Sequence, residues 1–277
     1  MKTLYIDAKM GAAGDMLTAA LLGLIENQDA FIEKMNHIGI PGVTIEKSLK
    51  TDKEITGIHI SVKINGIEED SKEHHKHHCD NNVLHNTKEH HHNKNMNTHC
   101  EHSHHHDSHN NLHDIKHIVA GLDIPEKVKE DVFNVYNIIA DAEAKAHDVP
   151  VSQVHFHEVG MMDAVADITA VCLLIHELAP EKIISSPIHV GSGTVICAHG
   201  ELPVPAPATA NILREIPYYS TDIKGELCTP TGAALLKYFV DEFTNLPDFK
   251  PTKTSYGIGS KEFSRPNYLT LHLDIHS

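Results

Sequence analysis

The stretch TLYIDAKMGAAGDMLTAALLGLI, Thr3 to Ile25, decides how the fold begins. Thr3 to Asp7 is a short apolar run that stops at an acid, which predicts a strand. Gly11-Ala12-Ala13-Gly14-Asp15 predicts a turn into a helix that runs to about Ile25. Asp15 then falls near the helix N-terminus, where the peptide dipoles favour a carboxylate. A strand ending in Asp7, then a glycine turn into a helix, is a corner that can take a phosphate or a metal. Asp7 and Asp15 are its candidate residues, and an ordinary strand–turn–helix reads the same way.

Outward from this corner, a helix is predicted from about Asp29 to Met35. Val43 to Lys50 and Gly57 to Ile64 read as a strand pair, with Ile58, Ile60, Val62 and Ile64 on one face at period two. Later helices are predicted over Asp114 to Leu122, Glu126 to His147 and Met161 to Leu178. In the second of these, Val128, Val132, Val135, Tyr136, Ile139 and Ala146 follow helical spacing. Lys182 to Val190 reads as one strand. A proline-punctuated stretch, Leu202 to Pro207, leads into helices over Ala206 to Glu215 and Thr231 to Phe243. Tyr268 to Ile275 closes as a strand. This order predicts an α+β or α/β fold, a mixed sheet with flanking helices, and no internal repeat.

Composition bounds the function. The chain has 277 residues, 40% of them hydrophobic, which suffices for a real core. A net charge of −15 argues against nucleic-acid and anionic-membrane partners, both of which select a basic surface. The 26 histidines outnumber the 23 lysines and arginines together. Five cysteines without a CxxC pair fit a reducing compartment. The apolar run Leu4-Tyr5-Ile6 is too short for a signal peptide, and the expected location is the cytoplasm.

Residues 71–113 break the composition. They hold 15 histidines and two cysteines, with Val83, Leu84 and Leu112 as the only aliphatic residues besides Met96. Such a segment cannot bury enough apolar surface to offset its ordering entropy, and disorder without metal is expected there. The domain reading is therefore a single core from 1–70 and 114–277, in one or two lobes, interrupted by the insert. His74, His75, His77, His78, His90, His91, His92, His104, His105 and His106 are its candidate storage ligands. Imidazole suits nickel, copper and zinc, but a floppy backbone gives poor geometric selectivity.

The better candidate for chemistry is HFHEVGMMDAVAD, His155 to Asp167. If residues 154–158 are extended, His155 and His157 share one face. Asp163 and Asp167 are four apart on the next helix and also share a face. Two imidazoles and two carboxylates at a helix start make a divalent-metal site, with Glu158 as a further ligand or a base. Asp167 interrupts an apolar run, where a carboxylate is costly unless paired or metal-bound; helix capping with a buried salt bridge is the competing reading. Cys197 and His199, at period two in a glycine- and proline-rich loop, are a lesser pair for a borderline metal. Cys228-Thr229-Pro230-Thr231-Gly232 offers the Thr229 and Thr231 hydroxyls at a helix start, which suits a phosphate or plain capping.

HFHEVGMMDAVADI, HGELPVPAPAT, TPTGAALL and the opening GAAGDM together resemble the LarC family of nickel-insertion proteins, in the family's order and over nearly all of the chain outside the insert. The family also tends to carry a histidine-rich insert at this place. The resemblance implies insertion of Ni(II) into pyridinium-3,5-bisthiocarboxylic acid mononucleotide, which forms the nickel-pincer nucleotide of lactate racemase. It implies a lyase-type metal insertion that consumes CTP with Mg or Mn. Full-length members continue past the position of Tyr256-Gly257-Ile258-Gly259 into a C-terminal domain associated with CTP. This chain is expected to be the first part and to need its C-terminal portion. Expected partners are the precursor, that portion, lactate racemase and further copies in a homo-oligomer. Two alternatives stay open: a non-catalytic nickel store or chaperone, and a metal-dependent phosphohydrolase.

Overall fold

Alternation along the first strand fixes the face of the sheet that holds the core. The computed structural model describes residues 2–68, 111–156, 161–197, 200–245 and 250–275. In chain order the elements begin β1 (Lys2–Asp7), α1 (Gly14–Leu22), α2 (Gln28–Met35), β2 (Val43–Asp52), β3 (Ile55–Ile64) and β4 (Ile67–Glu68). They continue with α3 (Leu112–Gly121), α4 (Glu126–His147), α5 (Met162–Leu178), β5 (Lys182–Ser185), β6 (Ile188–His189) and β7 (Gly191–Ser192). A hairpin of β8 (Thr194–Cys197) and β9 (Gly200–Pro203) precedes α6 (Pro207–Ile212), β10 (Tyr218–Tyr219) and β11 (Gly225–Glu226). Last come α7 (Pro230–Phe239), β12 (Glu242–Phe243), β13 (Lys253–Ile258) and β14 (Tyr268–Ile275).

The main sheet is mixed, in the order β12-β5-β1-β14-β13-β3-β2, with β4 on β3. β1 runs parallel to β5 and antiparallel to β14, while β13 runs antiparallel to β14 and parallel to β3. Leu4 and Ile6 lie opposite Leu273 and Leu271, and all four are buried in the main core. Tyr5 points to the other face, where its ring lies 6.1 Å from that of His272.

Against the core face lies α1, in which every residue except Asp15 is buried. Glycine lets it sit close: a Cβ on Gly257 of β13 would come within 2.1 Å of the Met16 carbonyl oxygen. Burial of the Leu17, Leu21 and Leu22 side chains stabilises this seat by roughly 1.5–3 kcal/mol each. α5 packs on α1, and α4 packs on α5, its residues Val128, Val132, Val135 and Ile139 buried in the same core. Among the described residues no helix is long and apolar enough to cross a membrane.

The structure departs from the sequence reading in three places. The strand expected over Lys182 to Val190 is two strands, broken at Ser186-Pro187. Pro187 has no N–H to give a ladder, and the Ser186 hydroxyl instead accepts from the Ala8 N–H at 2.9 Å. The helix expected to reach Phe243 stops at Phe239. Asp241 accepts the Ile183 N–H at 2.8 Å, and Glu242-Phe243 join the sheet beside β5. The helix expected to reach Glu215 stops at Ile212, and Glu215 is left-handed at φ 75°.

Candidate functional site

Close backbone contacts gather four segments at the first turn of α1. The Ala12 N–H donates to the Leu227 carbonyl, and the Ala12 carbonyl accepts from the Thr229 N–H, both at 3.1 Å. Gly11 and Gly232 permit this approach. A Cβ on Gly11 would lie 2.0 Å from the Leu227 carbonyl oxygen, and one on Gly232 would lie 2.1 Å from that of Ala12. From α5, Asp167 presses against Gly14, where a Cβ would be 2.7 Å from both its Cβ and Oδ2. From beyond β13, the Ser260 hydroxyl donates to Asp15 Oδ2 at 3.1 Å.

The residue before α1, Ala13, has no side chain to cap the helix. Asp167 supplies that cap from a neighbouring helix by accepting the Asp15 backbone N–H. Capping is thus one of its roles, as the competing reading of the sequence held. Among the described residues no buried salt bridge accompanies it. Burial, then the charges of Asp15 and Asp163, push the Asp167 carboxyl well above the usual carboxylate range, against the opposing hydrogen bond from Asp15. The Oδ1 of Asp167 is sealed from solvent without a hydrogen-bond partner among the described residues.

Beneath these acids lies Tyr136 of α4, fully buried, with its ring 5.9 Å from that of Phe156. Its hydroxyl also has no hydrogen-bond partner among the described residues. Burial, then the charges of Asp163 and Asp167, push its phenol well up. Three carboxylates and a buried phenol at a helix N-terminus make a corner that a divalent cation would neutralise. Among the described residues, no group of three or more His, Cys, Asp or Glu side chains is arranged to hold a metal ion. The carboxylates alone therefore fall short of a metal cage.

The other candidates sit as follows. Residues 154–156 are extended, with Val154 and Phe156 buried and His155 exposed between them. His157, Glu158, His199 and the ten storage histidines lie outside the described residues. Cys197 ends β8, half-buried, and its thiol donates to the Gly200 carbonyl at 3.4 Å. Thr229 caps α7 by accepting the Gly232 N–H at 3.2 Å, and its hydroxyl meets that of Thr231 at 2.9 Å. Asp7 belongs to a different group. It pairs with Lys9 at 2.7 Å, and its charge acts on Tyr5, Tyr219 and His272.

Tyr136, Ser260 and the close approach at Gly14 were not singled out by sequence. Tyr136 counts there as one more apolar position of α4. Gly14 reads as part of a turn, although it is the first residue of the helix and is small because Asp167 lies against it.

A family model described as nickel insertion protein matches residues 4–277. Three relatives carry the name pyridinium-3,5-bisthiocarboxylic acid mononucleotide nickel insertion protein. That from Clostridium acetobutylicum is 41% identical over 99% of this chain and 64% of its own length. That from Clostridium kluyveri is 38% identical over 99% and 62%. That from Acetivibrio thermocellus is 34% identical over 97% and 59%. The chain thus spans about three fifths of the length of the curated relatives it matches. No solved structure matches it.

Proposed function

Because the chain belongs to the nickel insertion protein family, we propose that it inserts Ni(II) into pyridinium-3,5-bisthiocarboxylic acid mononucleotide, making the nickel-pincer nucleotide used by lactate racemase. One observation carries the reading at the level of residues. Asp167 is kept as an acid inside the core, against Gly14, with Asp15 and Asp163 beside it and one oxygen sealed without a hydrogen-bond partner among the described residues. A folded chain retains so costly a group where a cation compensates it.

In this reading nickel is the substrate, anchored by Asp163 and Asp167. His155, His157, Cys197 and His199 complete its ligands as it arrives and leaves. Glu158 accepts the proton that leaves the pyridinium carbon as the nickel–carbon bond forms. Asp15, Thr229 and Thr231 meet the precursor beside the corner, Asp7 is left out of it because it pairs with Lys9 in a different group, and the histidine-rich segment stores nickel. The reaction is a lyase-type insertion in the cytoplasm, run by a homo-oligomer that passes its product to lactate racemase. CTP, with Mg or Mn, is assigned to the family's C-terminal portion, and no residue of this chain is assigned to it.

The test supplies purified chain with the C-terminal portion of a relative, the precursor, Ni(II), Mg and CTP, and reads activation of apo-racemase. Folded protein without activation would sink the reading. Deleting residues 71–113 separates insertion from storage. The expected result is intact insertion with fewer nickel ions bound per chain. A non-catalytic nickel store is favoured instead if His155→Ala and Asp167→Ala leave nickel loading unchanged and the wild type never activates the racemase.

A further inference from the structure

The proline-punctuated loop and the end of α4 are not used by the site described above, yet they enclose a cavity of about 260 Å3. Its apolar walls come from three elements: Val195 and Leu202, paired across the β8–β9 hairpin, Pro207 at the start of α6, and Pro230 at the start of α7. Flat, rigid walls of this kind suit the faces of an aromatic ring.

Its polar groups come as two opposed pairs. Glu143 faces His147 one turn along α4, at 3.5 Å. Glu226 faces Lys261 at 3.6 Å, a loose pair with the lysine about half exposed and the glutamate side chain nearly buried. The carboxylates offer negative charge to a ring cation, and Lys261 is free to swing outward to an anion at the mouth. The Cys197 thiol also lines the cavity, a soft donor beside whatever occupies it. The cavity adjoins the acidic corner through the chain itself. Glu226 and Pro230 flank Leu227 and Thr229, the two residues whose backbones pair with Ala12.

We propose that this cavity seats the ring of a pyridinium mononucleotide, with its phosphate arm leaving past Lys261. The inference rests on the proposed function for its choice of ligand, a molecule whose name specifies an aromatic cation, two sulfur-bearing acids and a phosphate. About 260 Å3 accommodates a substituted ring but not a whole nucleotide, so the arm emerges where Lys261 stands, the one lysine of the lining among the described residues.

The experiment titrates the full chain with pyridinium-3,5-bisthiocarboxylic acid mononucleotide and with its dephosphorylated nucleoside, by calorimetry without nickel. Leu202→Trp, which fills the cavity, is expected to weaken both ligands by tenfold or more. Lys261→Ala is expected to weaken the mononucleotide by about tenfold, as for one charge-assisted contact, and the nucleoside much less. Lys261→Arg should restore the difference. Circular dichroism melts check folding, and Val195→Phe, from the facing strand, serves if Leu202→Trp unfolds the hairpin. Wild-type affinity for the mononucleotide in a folded cavity-filling variant overturns the seat, as does a wild-type chain that does not bind it. Equal losses for both ligands in Lys261→Ala overturn the phosphate assignment. Nickel insertion, measured on the same variants once the C-terminal portion of a relative, Ni(II), Mg and CTP are supplied, separates the two readings. Insertion at wild-type rate in a folded Leu202→Trp variant removes the seat and spares the function. Cavity-dependent binding without insertion removes the function and spares the seat.

Discussion

At the start of α1, Asp15 and Asp163 crowd Asp167, and no cation is among the groups that shift its carboxyl. In the cavity behind the β8–β9 hairpin each acid has a base, Glu143 with His147 and Glu226 with Lys261. The loop through Leu227 and Thr229 lies against both regions. The corner gathers acids that hold the Asp167 carboxyl in its protonated form and that an incoming cation would compensate. The cavity sets a basic side chain against each acid and selects by shape as well as by the charge these groups can turn towards a ligand. Under the proposed function, joining a metal ion to an organic molecule would use one region of each kind, close together.

The largest effect is expected at the corner. Asp167→Asn keeps a side-chain oxygen for the Asp15 N–H but removes the carboxylate that an arriving cation would draw out, and should cut nickel insertion by roughly 100-fold or more, measured as racemase activation. Its melting temperature without metal should hold or rise, because the amide is close in shape to the protonated acid and carries no titratable group. A large fall in melting temperature would make Asp167 a structural residue and break the contrast.

Gly14→Ala comes next, since its Cβ would lie 2.7 Å from the Asp167 carboxylate. It should lose about 1–3 kcal/mol in urea unfolding and slow insertion. Binding of the mononucleotide without nickel should stay near wild type, so the two regions would separate experimentally.

A smaller change is expected for Tyr136→Phe, which deletes a buried hydroxyl that has no hydrogen-bond partner among the described residues. Stability should hold or rise by about 1 kcal/mol. Nickel affinity, read by competition with a chromogenic chelator, should fall if the phenol faces the ion.

The smallest effect is a control outside both regions. Burial, then the Asp7 charge, push the Tyr5 phenol up to about 12. The folded chain therefore favours the protonated phenol. That contribution is complete below the ordinary value of about 10 and is lost as pH rises towards 12. Tyr5→Phe should flatten the decline of melting temperature between about pH 9 and pH 11.5. An unchanged slope would assign the alkaline loss to other groups.

Much of the fold was legible because its helices carry a strong period. Glu126 to His147 was read with the ends it has, as was the strand Tyr268 to Ile275. β13 was not legible: KTSYGI has few apolar residues, and its pairing with β14 and β3 makes it a strand. Of the site, Asp163 and Asp167 could be found because an acid inside an apolar helix is expensive. Asp15 was readable as a helix-start acid, but not as a neighbour of Asp167, since only tertiary packing brings α1 onto α5. The cavity has no local signature, because its walls come from α4, a hairpin and two helix starts far apart in sequence.

The placement of β14 has a consequence for how the protein is made. It lies between β1 and β13, so the strand at the middle of the sheet is the last of the described strands to be synthesised. Until Tyr268–Ile275 emerges from the ribosome, β1 has an open apolar flank and α1 lacks part of its floor. The acidic corner is thus assembled only after nearly all of these residues have been translated, and a nascent chain halted before Tyr268 would present a sticky edge to chaperones rather than a finished corner.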